Sequence, residues 1–141
     1  MLPRLLQTLA LGLVCLAGCR APDLTAEVDA YVMQTNFVRN TLCYCLVVPD
    51  PDFECDESLD PFTQIDADCM VASLDGHERD GEEFLDCVNA ALDNYVQCVA
   101  LNSEVCDEDI NAGCTSTYEG AFASCSQLPT DVRAAFLACG G

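Results

Sequence analysis

From Leu24 onward the chain repeats apolar residues every three or four positions, and it nowhere alternates as a half-buried strand would. The series Leu24, Val28, Tyr31, Val38, Leu42 and Cys45, with Thr35 at the same period, predicts an amphipathic helix opened by Pro22-Asp23 and stopped before Pro49. Asp60-Pro61, an N-cap followed by proline, starts a second helix reaching about Leu74. Its inward face is expected to be Phe62, Ile65, Cys69 and Ala72, with Asp75-Gly76 as its end. The third helix, about Glu82 to Leu101, carries Phe84, Cys87, Val88, Ala91, Leu92, Tyr95, Cys98 and Val99 on one stripe. Glu82, Glu83 and Asp86 then suit the positive end of its dipole. Asp107 caps a fourth helix with the stripe Ile110, Cys114, Tyr118, Ala121, Phe122 and Cys125. Pro129 breaks the chain, and a short last helix bears Val132, Ala135, Phe136 and Cys139. The expected fold is an all-α, disulfide-stapled bundle of about five helices, one domain over residues 23–141.

The first eighteen residues follow another rule. Arg4 is their only charge, and an apolar run from Leu5 to Leu16 leads to small residues, as in a signal peptide. Fourteen residues from Leu5 to Gly18 fall short of the roughly 20 that cross a bilayer as a helix. Leu16-Ala17-Gly18-Cys19 resembles the lipobox of bacterial lipoproteins, where signal peptidase II cleaves before a cysteine carrying a diacylglyceryl thioether. An ordinary secretory signal is the alternative. The resemblance implies that residues 1–18 are removed, that Cys19 is the lipidated first residue, and that 19–22 form a tether. The mature part is similar to small cysteine-rich envelope lipoproteins. Arg20 stands where many inner-membrane lipoproteins carry a retaining aspartate, so the resemblance favours the outer membrane.

Of the twelve cysteines, Cys15 leaves with the leader and Cys19 takes the lipid. The remaining ten, Cys43, Cys45, Cys55, Cys69, Cys87, Cys98, Cys106, Cys114, Cys125 and Cys139, form an even set in an exported chain, which predicts five disulfides. Cys87 to Cys98 and Cys114 to Cys125 repeat a spacing of eleven on consecutive helices. Eleven steps turn about three turns plus about 20°, so both sulfurs of each helix face one way. The pattern resembles the twin CX9C motif of coiled-coil-helix-coiled-coil-helix proteins, here as CX10C. Antiparallel packing predicts Cys87 with Cys125 and Cys98 with Cys114. The other six are unassigned. No CxxC occurs and His77 is the only histidine, so zinc spacing is missing and no metal is expected. Nothing basic neighbours Cys43-Tyr44-Cys45 to lower a thiol pKa.

Charge narrows the partners. The chain carries 24 Asp and Glu against five arginines and no lysine, a net −19, or −20 once Arg4 leaves with the leader. Nucleic acids and anionic lipid headgroups would be repelled, so membrane contact is expected only through the lipid at Cys19. A basic protein or another envelope component is the partner such a charge suits. Asp50, Asp52, Glu54, Asp56 and Glu57 invite a calcium reading, but a loop starting at Asp50 or Asp52 lacks the EF-hand glycine at its sixth position and glutamate at its twelfth. His77, between Gly76 and Gly81, reads as a solvated loop residue with no nucleophile at a catalytic spacing. No catalytic residue or cofactor is expected. The function expected is a non-catalytic, lipid-anchored interaction or structural module, with a cation-binding module and an enzyme as rivals.

Overall fold

The computed structural model describes residues 21–47, 54–55 and 60–140, and every regular element among them is a helix. They are α1 (Thr25–Val47), α2 (Gln64–Ser73), α3 (Glu78–Asn102), α4 (Glu108–Ser124) and α5 (Thr130–Ala138). The leader, Cys19 and the acidic positions Asp50, Asp52, Asp56 and Glu57 lie outside the described residues.

Asp23 opens α1 by accepting a hydrogen bond from the Thr25 amide at 3.1 Å, and Leu24, Val28, Tyr31 and Val38 are buried as the period requires. The start of α2 differs from the expectation. Thr63, not Asp60, is its N-cap, in a reciprocal capping box with Asp66. Residues 60–62 are instead held against α1. Asn36 accepts from the Phe62 amide at 2.7 Å and donates to the Phe62 carbonyl at 2.9 Å. Arg39 donates to the Asp60 carbonyl and lies 3.9 Å over the Phe62 ring. With Phe62 docked before the helix begins, Thr63 sets the phase: Ala67, Met70 and Leu74 turn inward, while Ile65 is 79% exposed and Ala72 is also exposed.

α3 starts at Glu78, four residues earlier than the charge pattern suggested, and takes Gly81 into its first turns. A Cβ there would come within 2.8 Å of the Leu24 side chain and 3.2 Å of that of Leu74, so this glycine leaves room for two buried leucines that precede α1 and follow α2. Gly76, at φ +82°, makes the left-handed turn that separates α2 from α3. Asp107 caps α4 by accepting from the Ile110 amide at 3.0 Å, as expected. Ile110 itself is half exposed rather than in the core, because α4's first turn is level with the end of α3. In α5, Val132 and Phe136 are buried and Ala135 is exposed.

α3 lies between α1 and α4 as the middle of a three-helix layer. α1 and α3 run in the same direction: Asn89 donates to the Glu27 carbonyl at 2.9 Å, and further along both helices Gln34 donates to Asp93. α4 returns antiparallel. The short helices α2 and α5 cover one side of the layer, with the Phe62 ring before α2 against Gly140 after α5. The Phe136 ring stands edge-on to Tyr31 at 5.5 Å and to Phe84 at 5.8 Å, and Phe84 meets Phe122 in the same manner at 5.9 Å. Phe84, Phe136, Met70, Leu74, Leu85 and Leu92 are the largest fully buried side chains, each contributing about 1.5–3 kcal/mol by removal from water.

The turn from α3 to α4 is organised by Asn102, which is 2% exposed. Its amide nitrogen donates to the Asp107 carbonyl at 2.8 Å and to Asn111 at 2.9 Å, and its oxygen accepts from the Asp107 amide at 3.3 Å. Cys106 follows at φ 51°, a conformation glycine adopts at no cost and other residues at roughly 1–2 kcal/mol. A cysteine stands there because its sulfur is bonded to Cys45.

Candidate functional site

The ten downstream cysteines form five bridges, with Cα separations of 5.1–5.8 Å. Cys87–Cys125 and Cys98–Cys114 staple α3 to α4 at two levels. The neighbours Cys43 and Cys45 are split between two bridges, Cys43–Cys55 and Cys45–Cys106, and the latter ties the end of α1 to the α3–α4 turn. Cys69–Cys139 joins α2 to the end of α5. Four bridges therefore lie within or beside the α1–α3–α4 layer and one within the α2–α5 cover, while none joins layer to cover. Apolar packing, the Asn36 and Arg39 hydrogen bonds to residues 60–62 and the chain itself hold those two together.

His77 sits at the N-cap position of α3 rather than in an open loop, and its side chain makes no capping hydrogen bond. Its Nδ1 is 3.7 Å from the Asp80 carboxylate, at the rim of a shallow depression of about 310 Å³ shared with Ala21, Pro22 and Gly76. The Gly76 amide donates to Glu78 at 3.0 Å and holds that carboxyl below its ordinary range. The Thr63 amide does the same for Asp66. Burial pushes the Tyr31 and Tyr118 hydroxyls up from their usual value. These are the marks of capping and packing. Among the described residues no three His, Cys, Asp or Glu side chains converge as a metal site, and no helix is long and apolar enough to cross a membrane.

The side of the layer away from α2 and α5 is organised differently. Met33, Phe37 and Tyr44 project from α1 at 67%, 44% and 57% exposure. Steps of four and seven residues place them within about 40° of one another, opposite the buried row that contains Val28 and Val38. Beside them on α3 run Asp86 and Asp93, both exposed and seven residues apart, with Ala90 and Gln97 on the same face. The Gln34–Asp93 hydrogen bond fixes the two rows side by side. The period that identified α1's buried stripe also contains this second one. The pattern does not single it out, because the first stripe already accounts for a helix. Asn36, Gly81 and Asn102 were missed for another reason, since their partners lie 26, 57 and 5 positions away and nothing in the local pattern marks them.

No family model, curated protein or solved structure matches this chain.

Proposed function

We propose that the protein is a lipid-anchored, non-catalytic lipoprotein of the bacterial cell envelope that acts by binding, attached through Cys19 and favoured for the outer membrane. The observation that carries the binding half is the set of five bridges, which use all ten downstream cysteines as structure and make a small rigid body with most of its described carboxylates exposed. The anchoring half rests on Leu16-Ala17-Gly18-Cys19. A body with a net charge near −20 draws in basic surfaces and repels anionic lipid and nucleic acid, so acyl chains, each buried CH₂ contributing roughly 0.8 kcal/mol, supply the attachment. Ala21 and Pro22 border the depression at the start of α3, so the tether leaves from the end where α1 and α3 begin.

The test is metabolic labelling with a tagged fatty acid in a bacterial host. Label on the wild-type chain, and none on Cys19→Ala, is the expected result. Equal labelling of both, or of neither, refutes the anchor.

A further inference from the structure

The α2–α5 cover leaves the other side of α1 open, and its residues there fall on a coiled-coil period. Ala26, Ala30, Met33, Phe37, Asn40 and Tyr44 are spaced four, three, four, three and four, the repeat by which one helix seats another. The row extends about 27 Å, five turns. Small residues lie toward the start of α1 and large ones toward its end, with one polar position, Asn40. All except the half-buried Ala30 are exposed. Along the α3 flank run Asp86 and Asp93, and Asp29 stands on α1 itself. Of the three described arginines, Arg39 is engaged with Asp60 and Phe62 and Arg133 with Gln127 and the Phe122 ring. Arg79 shares the α3 face of Asp86 and Asp93 but stands in the first turn, about 10 Å before Asp86, so it faces the small-residue start of the row and the two carboxylates flank the large apolar residues.

We infer that this face of α1 is the docking surface of the binding function proposed above, on which the inference rests. Its occupant is an amphipathic helix of a partner protein. That helix seats apolar side chains against Met33, Phe37 and Tyr44, meets Asn40 with a polar residue, and turns Lys or Arg toward Asp86 and Asp93. Charge chooses this occupant over a second copy of the chain. Two copies, each carrying −19, would bring like carboxylate rows together along the seam, whereas a basic helix is steered in by the same field. The apolar row supplies contact area and the acidic row selects orientation.

The probe is a synthetic leucine–lysine helix about five turns long with leucine at the heptad core positions. Its binding to the full oxidised chain is read by fluorescence anisotropy. A scrambled peptide of the same composition and a leucine–glutamate helix accompany it. The leucine–lysine helix is expected to bind, and Met33→Ser/Phe37→Ser to weaken it roughly ten-fold or more. Asp86→Asn/Asp93→Asn should weaken it several-fold and flatten its salt dependence, while Ile65→Ser and Leu137→Ser, exposed elsewhere, leave it unchanged. If the scrambled peptide binds equally well with steep salt dependence and ignores Met33→Ser/Phe37→Ser, the docking surface is refuted and the basic-partner reading survives. If no lysine peptide binds at low salt, both fall. Equal binding of the leucine–glutamate helix overturns the partner's chemistry. Self-association, or binding to neutral phosphatidylcholine vesicles, that disappears in Met33→Ser/Phe37→Ser would assign the face to a second copy or to a lipid surface and overturn the inference.

Discussion

On one side of the α1–α3–α4 layer, Tyr31, Phe84 and Phe122 form an aromatic cluster with Phe136 of the α2–α5 cover; on the other, Met33, Phe37 and Tyr44 stand 44–67% exposed beside a row of carboxylates. Both sides are apolar on α1, and only one has neighbours to bury against. The covered side is held without disulfides, by packing and by the Asn36 and Arg39 hydrogen bonds to residues 60–62, because no bridge crosses from layer to cover. Staples fix the layer's own geometry. The open side contributes little to holding the fold together and is therefore free to meet something else.

The largest effect is expected where the two layers meet. Phe136→Ala should cost about 3–5 kcal/mol in urea unfolding, since it removes a fully buried ring that touches both Tyr31 and Phe84. Hydrogen exchange should rise in α2 and α5 and stay slow in α3 opposite its staples. Uniform loosening of all five helices would deny that layer and cover are separable. Removing the Cys87–Cys125 bridge as Cys87→Ala/Cys125→Ala should cost on the order of 4 kcal/mol, and Cys98–Cys114, which closes a shorter loop, about 3. The reverse order would show native strain outweighing chain entropy. Asn102→Ala comes next at about 1–3 kcal/mol, because it strips the Asp107 amide of its partner at the α3–α4 turn and leaves the Asp107 carbonyl with only the Asn111 amide. Thermal unfolding of the oxidised protein measures it.

A smaller effect depends on pH. Burial raises the Tyr118 hydroxyl above its ordinary value of 10.0, so the unfolded chain ionises first and stability is lost as pH rises past 10. The urea midpoint, read quickly enough to spare the disulfides, should fall above that pH and fall less in Tyr118→Phe. An identical alkaline fall in both would place the effect elsewhere.

The helices with a single long stripe were legible in the sequence, and so were the Asp107 cap and the Gly76 break, because those signals are local. Ile65 and Ile110 mislead for a physical reason. Periodicity shows which residues share a face, not whether a neighbour reaches it, and Ile110 on α4's first turn stays half exposed. The phase of α2 differs from the sequence expectation because Asp60-Pro61 is a good start signal that loses to Thr63 once Asn36 and Arg39 hold residues 60–62 against α1. Asn102 reads locally as one more helix-ending asparagine, and its three hydrogen bonds emerge only when α4 folds back. For the open face the residues were all visible, but their exposure was not, since it depends on where α2 and α5 stop.

The division of labour between the two sides is tested most directly by the stability of Met33→Ser/Phe37→Ser. If the open face is surplus to the fold, the urea midpoint of this double variant stays within about 0.5 kcal/mol of the wild type, as for ordinary surface positions, with all five bridges intact by peptide mapping. A loss above about 2 kcal/mol, the scale of a buried side chain, would mean that these residues are core and that the open face does not exist.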